Sequence, residues 1–243
     1  MSDQTSPAVP PPSPRLPSGP ALVVGASGGI GAALVRALEE DGRFSPVIAA
    51  SRSGSPPLDV TDEASVAAFA ASLGDTQLAL VVDATGLLHD AEMTPERSWR
   101  DIDPAVMARS FAINAIGPAL LLKHLAPRLA RDGKATFATL SAKVGSIGDN
   151  RLGGWYAYRA SKAALNQIVR TASVELARRR PGALCVAIHP GTVDTRLTKP
   201  FAKAGLAVAT PDEAASRLLA VLDGLPSSAT GGFYDYRGEA LPW

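Results

Sequence analysis

Tyr158 and Lys162, in the segment YRASK, are the residues whose types and spacing most directly suggest chemistry. On a helix, residues four apart share one face, with about 6 Å between their Cβ atoms. A phenol with an ordinary pKa is a poor acid or base at neutral pH, and a neighbouring ammonium group lowers that pKa by favouring the phenolate. The pair therefore predicts a general acid or base, although such a pair by itself is more often an ordinary surface pair.

A glycine-rich turn lies near the start of the chain, where residues 22–31 read LVVGASGGIG. Glycine permits a tight turn from strand to helix, and its missing Cβ allows the backbone to approach a pyrophosphate. The N-terminus of the following helix favours a phosphate. We therefore predict a dinucleotide site, although a loop that merely turns the chain is the alternative. Its predicted contacts are Gly25, Ser27, Gly29, Ile30 and Gly31.

The end of the second predicted strand reads AASRSG and carries Ser51 and Arg52 but no acidic residue. In dinucleotide folds an acid near this place binds the free ribose hydroxyls of NAD, whereas an arginine accommodates a 2′-phosphate. A guanidinium group suits a phosphate dianion well. The segment therefore favours NADP(H) over NAD(H), unless Arg52 is only a solvated loop residue.

The elements that must position these residues follow an α/β pattern. Apolar runs at about 21–24, 47–50, 78–82, 135–140, 183–189 and 232–236 alternate with helical segments at about 62–73, 104–126, 158–178 and 211–223. Continuous apolar strands separated by helices are typical of a parallel sheet covered on both faces. We expect one domain over 21–243 with a doubly wound sheet of about seven strands. Residues 1–20, rich in Pro and Ser, are expected to form a disordered leader.

Composition restricts the classes of partner. The formal net charge is +1 and aromatic residues make up 5%, so neither nucleic acid nor an anionic membrane is expected as a partner. With one cysteine and dispersed histidines, no metal site is predicted. No signal sequence or transmembrane helix is expected, and a cytoplasmic location is the default expectation.

The order of these motifs resembles that of the short-chain dehydrogenase/reductase family. The resemblance rests on Gly25-x-x-x-Gly29-x-Gly31, Asn114, Ser141, Tyr158-x-x-x-Lys162 and Pro190-Gly191. The stretch SAKVGSIGDNRLGGWYAYRASKAALN and the ending GGFYDYRGEALPW look like the C-factor and sniffer-type carbonyl reductase branch. The resemblance implies a Rossmann-type fold, NAD(P)(H) and hydride transfer between nicotinamide and a carbonyl or alcohol.

The same resemblance implies roles for single residues. Tyr158 resembles the general acid, and Lys162 resembles the residue that binds the ribose and tunes the tyrosine. Asn114 resembles the asparagine that holds a water in the proton relay. Ser141, at the end of the fifth predicted strand, resembles the serine that orients the carbonyl; Ser146, closer to Tyr158 in sequence, is the alternative.

Further cofactor contacts are implied by position. Asp59 and Val60, after a short third strand, are expected to contact the adenine side of the cofactor. Ala84, Thr85 and Gly86 stand where the family more often has Asn-Ala-Gly, and they are also expected to contact the cofactor. The nicotinamide side is expected to contact Pro190, Gly191, Val193 and Thr195.

The resulting expectation is an NADPH-dependent carbonyl reductase acting on a small molecule, with a loop at about 196–210 covering the site. The alternative is a cofactor-binding regulatory or signalling protein without turnover. The helices at about 104–126 and 158–178 are expected to form a homodimer through an apolar face with Met107, Phe111 and Leu122. Alternatively, the loop 148–155 covers that face.

Overall fold

The fold is a parallel α/β sheet covered by helices on both faces. The computed structural model describes residues 15–201 and 208–243. Six parallel strands pair in the order β2-β1-β3-β4-β5-β6. Their bounds are β1 Ala21–Val24, β2 Val47–Ala50, β3 Leu80–Asp83, β4 Thr136–Leu140, β5 Leu184–His189 and β6 Phe233–Asp235. The doubly wound sheet expected from the sequence is confirmed.

The short strand expected before Asp59 does not form. Pro56 and Pro57 occupy the start of that segment, and proline has no backbone N–H to donate to a neighbouring strand. The segment instead follows the sheet as irregular backbone, with the Leu58 N–H donating to the Ser51 carbonyl at 2.9 Å. The sheet therefore has six strands, one fewer than the approximate number expected from the sequence.

Helices cover both faces of the sheet. They are α1 Gly29–Asp41, α2 Glu63–Ser72, α3 Pro104–Phe111, α4 Gly117–Leu125, α5 Tyr156–Arg179 and α6 Pro211–Gly224. Apolar side chains of α1 and α6 form one core cluster with the sheet, and those of α2, α4 and α5 form the other. The predicted helix at 104–126 is divided by a π-helical turn, Ala112–Ile116, which carries Asn114.

The folded part begins earlier than the sequence suggested. Leu16 is 3% exposed and packs with α1 and α6, although it falls within the expected leader. Its backbone N–H donates to the Asp223 carboxylate at 2.9 Å, and Arg43 pairs with the same carboxylate at 2.8 Å. A single leucine can thus anchor a Pro-rich segment whose composition predicts disorder. Residues 1–14 lie outside the described residues.

The run Pro104–Arg128 is long and apolar enough to cross a membrane by length and composition alone, which the sequence analysis did not expect. In this fold its polar residues Ser110 and Asn114 are buried. Leu122, expected on the outer face, is also buried, against the core formed with α2 and α5. The run is therefore part of the packed α/β domain.

Candidate active site

Tyr158 and Lys162 lie on the first turns of α5, where the fold buries both. Tyr158 is 9% exposed and Lys162 is 2% exposed. The Lys162 ammonium lies 6.0 Å from the centre of the Tyr158 ring, and it donates to the Leu140 carbonyl at 2.8 Å. The helical spacing brings the two groups together, as the sequence predicted, and the fold places them at the carboxyl end of β4.

Burial changes the acidity of both groups in opposite senses. It raises the pKa of the Tyr158 phenol above its ordinary value, because the phenolate is poorly solvated there. The sequence predicted a pKa lowered by the neighbouring ammonium group, so that expectation is corrected. It lowers the pKa of Lys162 to about 8, and the negative charge of Asp83 opposes this shift. Tyr158 is therefore protonated at neutral pH, and Lys162 is mostly charged.

Asp83, which the sequence analysis did not single out as functional, is fully buried at the end of β3. Its carboxylate accepts hydrogen bonds from the Thr85 N–H at 3.0 Å, the Thr85 hydroxyl at 2.6 Å and the Thr139 hydroxyl at 2.7 Å. These donors satisfy the buried charge, as an interior carboxylate requires. Asp83 therefore fixes the Ala84–Gly86 turn and supports the charge of Lys162.

Asn114 joins the loop after β3 to α5. Its Oδ1 accepts from the Leu87 N–H at 2.7 Å, and its Nδ2 donates to the Leu87 carbonyl at 2.8 Å and to the Ser161 hydroxyl at 3.1 Å. A Cβ on Gly86 would lie 3.7 Å from both Asn114 Oδ1 and Lys162 Nζ. The structure thus places Asn114 beside the Tyr–Lys pair, where it holds the loop after β3.

The two candidate serines occupy different places. Ser141 lines the cavity at Tyr158, and its hydroxyl donates to Asn166 Oδ1 at 2.7 Å. Ser146 is buried, accepts from the Asp149 N–H at 3.1 Å and does not line that cavity. A hydroxyl has one proton, so Ser141 can donate to a carbonyl only after releasing Asn166. Turning the Asn166 amide over would free that proton.

The glycine turn leaves backbone donors available for an anion. Gly25 has φ +81°, and a Cβ on Gly31 would lie 2.2 Å from the Gly25 carbonyl oxygen, so glycine is required at both places. Helix α1 has no side-chain hydrogen bond at its N-cap, Gly28, and no acid in its first turn. Its free N–H groups fit a pyrophosphate. Ser27 and Gly29 are exposed in the same turn, and Ile30 lines the cavity.

The region after β2 carries the residues predicted for the adenine side. Arg52 is exposed, and the Ser51 hydroxyl lies 3.3 Å from that of Ser53. Hydrogen bonds from the Thr61 N–H and hydroxyl, and the charge of Arg52 to a smaller extent, lower the pKa of Asp59. Val60 packs closely on Gly117 at the start of α4. An exposed arginine therefore follows β2, the strand that pairs with β1 ahead of the glycine turn.

The segment after β5 returns to the glycine turn. A Cβ on Gly29 would lie 2.9 Å from Thr195 Cγ2, so these two loops are in close contact. Gly191 has φ +80° and packs on the Tyr236 ring, and Val193 is buried. The predicted nicotinamide-side residues, including Pro190, therefore line the cavity that contains Tyr158.

This cavity has a volume of about 690 Å³ and is walled mainly by apolar side chains. Seven of these lining residues were not predicted as site residues from the sequence: Leu88, Ala142, Val144, Leu152, Trp155, Leu197 and Phe201. Leu197 and Phe201 do lie in the loop at about 196–210 that was expected to cover the site. Ala142 and Leu88 pack directly with Tyr158. The loop 148–155 contributes Leu152, Gly153 and Trp155 to this wall. Residues 202–207 of the expected covering loop lie outside the described residues.

Comparison with known proteins agrees with this geometry. A family model described as enoyl-(acyl carrier protein) reductase matches residues 25–218. C-signal from Myxococcus xanthus is 41% identical over 143 residues, which cover 59% of this chain and 82% of that protein. A 1-hydroxy-2-glutathionyl-2-methyl-3-butene dehydrogenase from Rhodococcus sp. (strain AD45) is 32% identical, covering 91% of this chain and 98% of that protein.

Among solved structures, an NADPH-bound carbonyl reductase from chicken fatty liver superposes with a TM-score of 0.80 at 30% identity, covering 94% of this chain and 100% of that chain. The resemblance indicated by the sequence motifs is thereby confirmed. The fold, the glycine turn, the Tyr–Lys pair and these matches agree that the chain belongs to the short-chain dehydrogenase/reductase family and is an NAD(P)-dependent oxidoreductase.

Proposed function

We propose that this oxidoreductase is an NADPH-dependent carbonyl reductase in which Tyr158 supplies the proton. The observation that carries the proposal is the burial of Tyr158 and Lys162 side by side in a largely apolar cavity, one wall of which is formed by the dinucleotide segments. An apolar cavity with a few convergent polar groups is typical of a small-molecule site.

The chain's own residues perform the proton chemistry. Because burial raises its pKa, Tyr158 holds its proton at neutral pH and is suited to donate it to a carbonyl oxygen. Lys162, charged below pH about 8, stabilises the phenolate that forms when the proton leaves. Asn114 and Asp83 hold the loop after β3 against this pair. The nicotinamide, when bound, supplies the hydride.

The cofactor segments would bind NADP(H) in preference to NAD(H). The free N–H groups at the start of α1 suit the pyrophosphate, and Arg52 suits a 2′-phosphate. Arg52 is absent from the ion pairs of residues 15–201 and 208–243, so its guanidinium is available to a ligand. The NADPH bound by the chicken carbonyl reductase supports the same choice.

A signalling protein without turnover is the second candidate, and the relative named C-signal is the observation that favours it. Such a protein needs the glycine turn but has no use for a buried Tyr–Lys pair. The intact pair therefore favours an enzyme.

One assay separates the two candidates. Purified protein is mixed with NADPH and a panel of aldehydes, ketones and quinones, and the loss of NADPH absorbance is followed. We expect turnover of at least one carbonyl compound. Tight NADPH binding without turnover of any of them would favour the signalling alternative.

Partners and location complete the proposal. The substrate is a small carbonyl compound or alcohol, and the location is the cytoplasm. We also propose a homodimer, formed through a groove of about 840 Å³ between α4 and α5 that is lined by Ala119, Leu122, Ile168, Ala172 and Leu176. The groove is also lined by the charged residues Lys123, Arg131, Glu175, Arg179 and Arg180. Apolar surface bordered by polar residues is typical of a protein interface.

A further inference from the structure

The turn that precedes α5 has an unusual backbone. Gly153, Gly154 and Trp155 have φ values of +65°, +64° and +54°. Among the residues that the structure describes, Trp155 is the only one other than glycine with a positive φ. A bulky side chain in this conformation costs of order 1–3 kcal/mol and persists only where the surroundings hold it.

Glu96, from the loop before α3, provides that hold. Its backbone carbonyl accepts from the Trp155 N–H at 2.6 Å. Its carboxylate accepts from the Ala157 N–H, at 3.1 Å through Oε1 and 3.3 Å through Oε2. From the other side, Arg159 Nε donates to the Gly154 carbonyl at 3.0 Å. The peptide group that joins Gly154 to Trp155 is thus held at both its carbonyl and its N–H. The Glu96 carboxylate holds the peptide group before Ala157, on the other side of Trp155.

The Glu96 carboxylate is itself committed to this place. Glu96 is 4% exposed, and it takes part in none of the ion pairs within the described ranges. Its charge faces the N-terminus of α5, where the helix dipole favours an anion and where no side chain of the helix itself provides a cap. A buried carboxylate with these partners cannot move without losing them.

The consequence of the strained turn appears in the cavity. The Trp155 indole packs edge-on against Phe201, with ring centres 5.2 Å apart, and against Tyr158, at 6.3 Å. Trp155, Phe201 and Tyr158 all line the same cavity. The left-handed backbone therefore directs a large flat side chain to the wall of the site.

We propose that Glu96 is a positioning residue that holds Trp155 in its left-handed conformation, so that the indole forms the substrate-binding wall beside Tyr158. Trp155 thereby determines which carbonyl compounds fit. The binding part of this inference rests on the proposed function, whereas the position of the indole does not.

The first test therefore uses fluorescence and requires no turnover. Trp99 and Trp243, which are 69% and 45% exposed, are replaced by phenylalanine so that Trp155 is the only source of tryptophan emission. In this background Glu96→Ala is expected to shift the emission to the red and to increase quenching by acrylamide. Glu92→Ala is the matched control, because Glu92 belongs to the same loop and its side chain is 80% exposed. The control should leave the emission unchanged.

The second test uses NADPH-dependent reduction of menadione, a two-ring quinone, and of propanal. We expect Glu96→Ala to raise the KM for menadione by about ten-fold or more, equivalent to the loss of a well-packed contact. The KM for NADPH should stay within about two-fold, because a wall of the substrate cavity is lost and not the cofactor site. A globally loosened fold would change both KM values.

A double variant shows whether Glu96 acts through Trp155. Glycine adopts a positive φ without strain, so Trp155→Gly should fold and should itself raise the KM for menadione. Adding Glu96→Ala to Trp155→Gly should raise that KM no further. Glu96→Gln keeps an acceptor oxygen for the Ala157 N–H. Its emission wavelength and its quenching by acrylamide should therefore lie between those of the wild type and those of Glu96→Ala.

Two outcomes would overturn the inference. One is unchanged Trp155 emission in both Glu96→Ala and Glu96→Gln; the other is full additivity of the two substitutions in the KM for menadione. If Glu96→Ala does not fold, the fluorescence of Glu96→Gln decides the question. Wild-type protein that reduces neither compound would count against the proposed function, whereas the fluorescence result would still decide the role of Glu96.

Discussion

At the residue scale, the proposed chemistry depends on charges held in a buried place. Lys162 is close to Tyr158 and to Asp83, and the surrounding apolar side chains make its protonated state less stable than in water. Arg52 lies at the other end of the site, where it is exposed. The two cations therefore have separable roles, one in the reaction and one in the choice of cofactor.

The pH dependence of the reaction follows from Lys162. Its pKa is lowered to about 8, so the ammonium group is present below that pH and is lost as the pH rises through it. We expect kcat/KM for carbonyl reduction to fall as the pH rises above about 8, measured with NADPH over a range of buffers. Lys162→Arg keeps its charge and should lose this pH dependence, whatever its absolute rate. A wild-type rate that stays constant well above that pH would contradict the role of Lys162.

Arg52→Ala tests the choice of cofactor. Because only NADPH carries the 2′-phosphate, the substitution should raise the Kd for NADPH by about ten-fold to a hundred-fold, the scale of one charge-assisted contact. The affinity for NADH should change little. Titrations of both cofactors measure the two effects, with Arg100→Ala as a control at another exposed arginine. An equal loss of affinity for both cofactors would show that Arg52 does not contact the 2′-phosphate.

At the element scale, the N-terminal segment is part of the domain from Leu16 onward. Leu16 packs with α1 and α6. Leu16→Ala should lower the free energy of unfolding by about 2 kcal/mol or more, as for other buried leucines. Denaturant unfolding measures this, and Ile147→Ala, at a residue 77% exposed, is the control. A loss below about 0.5 kcal/mol, typical of surface positions, would show that the segment docks without stabilising the domain.

Periodicity in the sequence predicts the helices and strands well, because each depends on a local pattern of apolar residues. The pairing of Tyr158 with Lys162 follows from helical spacing alone. The roles of Glu96 and Asp83 could not be predicted in this way, since Glu96 contacts Ala157 across 61 residues and Asp83 contacts Thr139 across 56. The choice between Ser141 and Ser146 also needed the structure, because it depends on which of the two lines the cavity at Tyr158.

At the scale of the whole molecule, the groove between α4 and α5 predicts self-association. Light scattering at micromolar concentration should give about twice the chain mass of 25.0 kDa. Ile168→Arg places a charge in the groove and should give the monomer mass without loss of the fold. Val174→Arg, at a residue of α5 that is 45% exposed and does not line the groove, is the control and should leave the dimer intact. A wild-type mass of one chain would reject the dimer.

The site itself is assembled from distant parts of the molecule. Four strand ends bring the glycine turn, the Ala84–Gly86 turn, Ser141 and the segment after β5 to one edge of the sheet, and α5 adds Tyr158 and Lys162. In open parallel sheets, ligands bind at this edge, where the strand order reverses. The reversal occurs here at β1, which pairs with both β2 and β3.

The most direct test of the account is the turnover of Tyr158→Phe with NADPH and a carbonyl substrate reduced by the wild type. The substitution removes only the hydroxyl, so the fold and the affinity for NADPH should be kept, and Tyr156→Phe serves as the control because its phenol has no lysine one turn on. We predict a fall in kcat of at least about 10²-fold, the scale of general acid catalysis. A Tyr158→Phe protein that turns over within a few-fold of wild type would contradict the assignment of Tyr158 as the proton donor.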